Sequence, residues 1–147
     1  MKKGGLLEEI RTFVMNMGYR LLDLRETRHR SDRVIRFAIY RPEGISVGDC
    51  ARVTLAVRDF VFMLENDDDI RVEVSSPGAE RVFRGPDDYE VFVDRKVQLT
   101  LKSGRVERWW YRGLDEEGQV LFSEKPDSAD MIKVLMVDIG KCRLVLE

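Results

Sequence analysis

Catalytic raw material is scarce in this sequence. It holds one histidine, His29, and two cysteines, Cys50 and Cys142, far apart and without a Cys-x-x-Cys pair. Zinc spacing and a disulfide framework are therefore excluded, and both thiols read as small buried hydrophobes. There is no glycine loop for phosphates, no His-Glu-x-x-His and no Gly-x-Ser-x-Gly. His29 stands in the most polar stretch of the chain, so a Ser-His or Cys-His pair would need a mobile tip to reach a rigid nucleophile. The acidic runs Asp67-Asp68-Asp69 and Asp115-Glu116-Glu117 lie at turn positions, where ordinary solvation accounts for them. The expectation is a protein that is not an enzyme, with no catalytic residue, no cofactor and no metal.

Long apolar runs are missing as well. The opening Met-Lys-Lys-Gly-Gly-Leu-Leu-Glu-Glu puts charges where a secretory signal needs apolar residues, and no later stretch approaches a membrane span. A cytoplasmic protein with no membrane partner is expected. Its 147 residues, 44% hydrophobic and 35% charged, suit one modest core or two small ones, well solvated.

Net charge is −2, yet the charges are segregated. Between residues 20 and 41, seven arginines (Arg20, Arg25, Arg28, Arg30, Arg33, Arg36 and Arg41) face Asp23, Glu26 and Asp32. Between 95 and 112, Arg95, Lys96, Lys102, Arg105, Arg108 and Arg112 face Glu107 alone. Such clusters match a phosphate backbone, although a solvated face produces the same pattern.

Periodicity supplies the elements. Leu6, Leu7, Ile10, Phe13, Val14 and Met17 recur at three- and four-residue steps before Gly18, which predicts an amphipathic helix with a glycine C-cap. Leu21 to Arg25 and Val34 to Tyr40 read as strands, and Thr27 to Arg33, wholly polar, as a solvated hairpin tip. Ser46 as N-cap with Asp49 three residues on opens a second helix carrying Cys50, Val53, Val57, Phe60, Val61 and Leu64. Ile70, Val72 and Val74 alternate with Arg71, Glu73 and Ser75 in a half-buried strand. This order of helix, strand, strand, helix, strand implies an α/β sandwich with two helices over one face of a three-stranded sheet. Ser75, Ser76, Pro77 and Gly78 then form an interdomain turn, and Gly85-Pro86 is a second break. The boundary is expected near Val82 to Gly85, giving domains 1–83 and 84–147.

The second half changes character. Strands are predicted over Lys96 to Lys102, Val106 to Leu114, Gln119 to Ser123, Met131 to Val137 and Cys142 to Glu147, with a tight turn at Lys102 to Arg105. Short strands so closely spaced suggest a small closed barrel, SH3-like or Sm-like, because closure removes unprotected edges. The fold class is thus α+β. Within Arg108-Trp109-Trp110-Tyr111-Arg112, alternate side chains face opposite sides of the sheet, so some rings belong to the core while others are free for protein docking or base stacking.

The run Val72-Glu73-Val74-Ser75-Ser76-Pro77-Gly78-Ala79-Glu80-Arg81 resembles the signature of the RimP family of ribosome maturation factors. Gly18 to Leu24, Gly44 to Ala51 and Asp138 to Val145 resemble further stretches of that family in order and spacing. Ala79, Glu80, Val82 and Phe83 depart from the family's Leu, Asp, Pro and Leu, and Leu146 stands where Pro is common. The resemblance implies an N-terminal domain of KH-like layout followed by an SH3-like barrel. It implies a factor that binds the free small ribosomal subunit during maturation, the barrel engaging a decoding-centre ribosomal protein; a monomer is expected. In that picture Arg20, Arg25, Arg28, Arg30, Arg33, Arg36, Arg41 and Arg81 are candidates for rRNA phosphates, and Arg108, Trp109 and Arg112 for protein docking. The rivals are a general RNA-binding module of Sm or KH type and a protein-interaction adaptor.

Overall fold

The computed structural model describes residues 3–145 apart from Ser31, Asp68 and Ala79. The expectations for Ala79, Leu146 and Glu147 therefore fall outside the described residues. The chain divides into two compact units, residues 1–77 and 78–147.

The first unit runs α1 (Lys3–Asn16), β1 (Arg20–His29), β2 (Asp32–Tyr40), α2 (Val47–Glu65) and β3 (Ile70–Ser75). Its sheet has the order β1-β2-β3, with β1 and β2 antiparallel and β2 and β3 parallel across the α2 crossover. Leu6, Ile10 and Val14 of α1 and Val53, Val57 and Val61 of α2 pack on Leu21, Ile35, Phe37, Ile39, Ile70 and Val72. The three- and four-residue steps of the sequence are thus the stripes that cover one sheet face. Gly18 ends α1 at φ +99°, a conformation that suits glycine, with its N–H donating to Met15 O. At α2 the predicted start is a complete capping box. The Asp49 N–H donates to Ser46 Oγ at 3.0 Å and the Ser46 N–H donates to Asp49 Oδ2 at 2.8 Å.

Two local readings need correction. The hairpin tip is shorter than the polar stretch Thr27 to Arg33: Thr27 pairs with Val34, Arg28 with Arg33 and His29 with Asp32, so both strands run almost to the tip. Backbone pairing extends an edge hairpin regardless of side-chain polarity, which apolar alternation cannot reveal. Second, the ladder slips between Leu22 and Arg25, where Asp23 takes φ +60°. This bulge lets both Leu21 and Leu24 face the helices and turns Arg25 to the opposite face.

The second unit contains α3 (Pro86–Val91), β4 (Lys96–Leu101), β5 (Val106–Leu114), β6 (Val120–Ser123), β7 (Ile132–Val134), a 3-10 turn (Met136–Asp138) and β8 (Ile139–Leu144). Neighbouring strands are antiparallel in the order β7-β6-β5-β4-β8. The expected barrel is not closed: no ladder joins β7 to β8 among the described residues, and the outer side of β8 is met instead by an isolated bridge between Val82 and Arg143. The last strand also lies earlier than Cys142 to Glu147, because the 3-10 turn ends the preceding apolar run. Val97, Leu99, Tyr111, Val120, Phe122 and Phe92 are fully buried. Phe83 meets Tyr89 and Tyr111 edge-on at 4.9 and 5.6 Å. The Phe83 N–H donates to Cys142 O and the Leu144 N–H to Arg81 O, so residues 81–83 belong with β8 rather than with the first domain. Helix α3, with Pro86 in its first turn, was missed, since six residues are too few to show a helical period.

Candidate nucleic-acid interface

Strand alternation and the bulge at Asp23 sort the arginine cluster into two groups. On the helix side, Arg33 reaches Glu26 at 2.9 Å and also Glu65 and Asp67 at the end of α2. Its guanidinium is the main reason Glu26 stays below the ordinary carboxylate range, against the opposing effect of burial. Arg28 shares Glu26. Arg41 binds both carboxylate oxygens of Asp49 at 3.1 Å and lies 5.0 Å from the centre of the Tyr19 ring. Asp49 in turn accepts from the Tyr19 hydroxyl at 2.6 Å. That bond, the Ser46 N–H and the nearby arginine hold Asp49 well below the usual range. Arg28, Arg33 and Arg41 are thus already matched by carboxylates of their own unit.

The far face is different. Arg25 and Arg36 are direct cross-strand partners, and Arg36 is paired with Glu73 on β3 at 2.7 Å. Arg71 is the register partner of Val34 on the same face, and Arg20 lies at the start of β1 opposite Tyr40. Arg20, Arg25 and Arg71 are exposed. Like charges placed opposite one another cost stability unless a counterion comes between them. Glu73 neutralises one of these cations, and Arg30 at the tip is exposed. Among the described residues neither Arg25 nor Arg30 makes an ion pair. The surplus positive charge suits an incoming phosphate. Arg71 was not among the sequence candidates; its alternation with Ile70 and Val72 was the signal for its place on this face.

Three other sequence candidates change role. Arg81 is buried: its Nε donates to Asp88 Oδ2 at 2.7 Å and Nη2 to Oδ1 at 3.0 Å, with 3% and 4% of the two side chains exposed. It cannot meet a phosphate, and the reason is Asp88 at the head of α3, an element the sequence reading lacked. Trp109 points inward, 5.8 Å from Phe122. Arg112 pairs with Asp94 at 2.8 Å and donates to Pro126 O and Ser128 O, so it holds the loop after β6. Arg108 is exposed. Ser75 and Ser76 end β3 exposed, and the units divide between Pro77 and Gly78. Among the described residues no group of three or more His, Cys, Asp or Glu side chains is placed to hold a metal, and no helix is long and apolar enough to cross a membrane.

Fold and site together define a two-unit α+β protein whose first unit presents an arginine-bearing sheet face. Residues 9–80 match the family model of the RimP N-terminal domain, which covers that unit's sheet and most of its helices. The chain belongs to the RimP family of ribosome maturation factors, whose members act without catalysis.

Proposed function

We propose that this protein binds the free small ribosomal subunit during its maturation, with the far-face arginines of the first unit on rRNA phosphates. The observation that carries this reading is the opposed pair Arg25 and Arg36, which with Arg20, Arg71 and the tip residue Arg30 outnumbers the carboxylates on that face. The second unit engages a decoding-centre ribosomal protein. The exposed apolar residues Met131, Leu135, Met136 and Val137 around the edge strand β7 support that contact, since an edge strand offers unpaired backbone groups to a partner. The protein works in the cytoplasm as a monomer and performs no covalent step. Tighter binding to one assembly state than to the next shifts the population toward that state.

Co-sedimentation of the purified protein with free small subunits, full ribosomes and naked rRNA across a salt series tests this. Selective, salt-sensitive binding to free small subunits is expected, and the variant Arg25→Gln/Arg36→Gln/Arg71→Gln should flatten the salt dependence by about two to three in log-log slope. Equal binding to naked RNA would replace the proposal with a general RNA-binding module. Binding insensitive to salt would replace it with a protein adaptor.

A further inference from the structure

The second unit has a cationic face of its own. In β4, Val97 and Leu99 are fully buried, so Lys96, Gln98 and Thr100 point to the other side of the sheet. In β5, Trp109 and Tyr111 face the core while Arg108 and Trp110 share the side of Lys96, and in β8 the burial of Cys142 and Leu144 puts Lys141 and Arg143 there too. The register sets their order. Lys96 lies opposite Trp110, Gln98 lies between Arg108 and Arg143, and Thr100 is opposite Lys141. Glu80 is held by Arg143 at 2.7 Å, whereas Lys96, Arg108 and Lys141 make no ion pair among the described residues. In a chain of net charge −2, this face carries four cations against Glu80.

We propose that this outer sheet face is a platform for single-stranded RNA, with a base stacked on Trp110 and the flanking phosphates on Lys96, Arg108 and Lys141. The charge calls for a polyanion. The half-exposed indole between Lys96 and Arg108 calls for one with flat apolar groups. A duplex keeps its bases stacked inside, and an acidic peptide has no use for the ring; a single strand satisfies both features. Gln98, whose side-chain amide both donates and accepts, stands where it can meet a base edge. This proposal does not depend on the role of the first unit's arginines.

The test uses the full chain and tryptophan fluorescence, titrated with a short oligouridylate, an abasic oligomer of the same phosphate count and polyglutamate. Oligouridylate should quench the fluorescence and the other two should bind far more weakly. Trp110→Leu should weaken oligouridylate binding about tenfold, read by anisotropy of a labelled oligomer, whereas Trp109→Phe should keep the quench. Lys96→Gln/Arg108→Gln/Lys141→Gln, which alters exposed or half-exposed side chains, should lower the salt slope by about two. The first-unit variant Arg25→Gln/Arg36→Gln/Arg71→Gln should leave the quench unchanged, so loss of subunit co-sedimentation and loss of this platform are told apart. Equal binding of polyglutamate or the abasic oligomer overturns the proposal, as does wild-type affinity in both the Trp110 and the triple-charge variant.

Discussion

Replacing Arg81 separates a structural from a functional reading of one residue. The guanidinium makes two charge-assisted bonds to Asp88, at 2.7 and 3.0 Å, and both side chains are nearly sealed from water. In Arg81→Met the Asp88 carboxylate stays buried, keeping the Arg84 N–H at 3.2 Å but losing its guanidinium partner. Breaking a buried pair from one side costs about 3–5 kcal/mol, because the cost is that of an uncompensated charge rather than of a lost contact. Removing both charges, in Arg81→Met/Asp88→Leu, should recover much of that loss. The assay is urea denaturation followed by tryptophan fluorescence, since both tryptophans lie in the second unit. Co-sedimentation with small subunits runs in parallel on folded protein, and folded Arg81→Met should bind as the unmodified chain does. A loss below about 1 kcal/mol in the single variant, or weakened binding at unchanged stability, would refute the reasoning and return Arg81 to the surface.

Three further outcomes follow from the same geometry. Ser46→Ala removes one half of the capping box and should lower the stability of the first unit by about 1 kcal/mol, read by thermal denaturation. Asp49, held below the ordinary carboxylate range by the Tyr19 hydroxyl and the Ser46 N–H, contributes stability that is fully present above about pH 4 and lost as pH falls further; Asp49→Asn should flatten that acid limb in pH-dependent melts. Burial pushes the Cys142 thiol up to about 12, while Cys50 is half-buried and raised by burial and by neighbouring Asp49; alkylation followed by mass spectrometry should modify Cys50 first and reach Cys142 only on unfolding of the second unit.

Elements governed by near neighbours in the chain were legible in advance. The stripe Leu6, Ile10, Val14 declares α1, Ser46 and Asp49 declare the start of α2, and the alternation around Val97 and Leu99 declares β4, because each depends on side chains within a turn or a strand of one another. The signature run ending in Gly78 and Arg81 pointed to the family that the match over residues 9–80 shows. What the chain order could not declare is which partner lies across space. The polar stretch Thr27 to Arg33 marked a hairpin tip but not how far the strands reach into it, which the pairing of Thr27 with Val34 decided, and α3 was too short to announce itself. Arg33 and Arg81 looked like their neighbours until Glu65 and Asp88 closed on them, whereas Arg71 looked unremarkable until its strand set it opposite Val34, on the face that carries Arg36. Sequence by itself determined the periodicities, caps and charge clusters, which are local. Tertiary structure alone decided which charges are neutralised within the fold and which remain for a partner, because Coulomb energy and desolvation depend on distance through space and on burial, not on position along the chain.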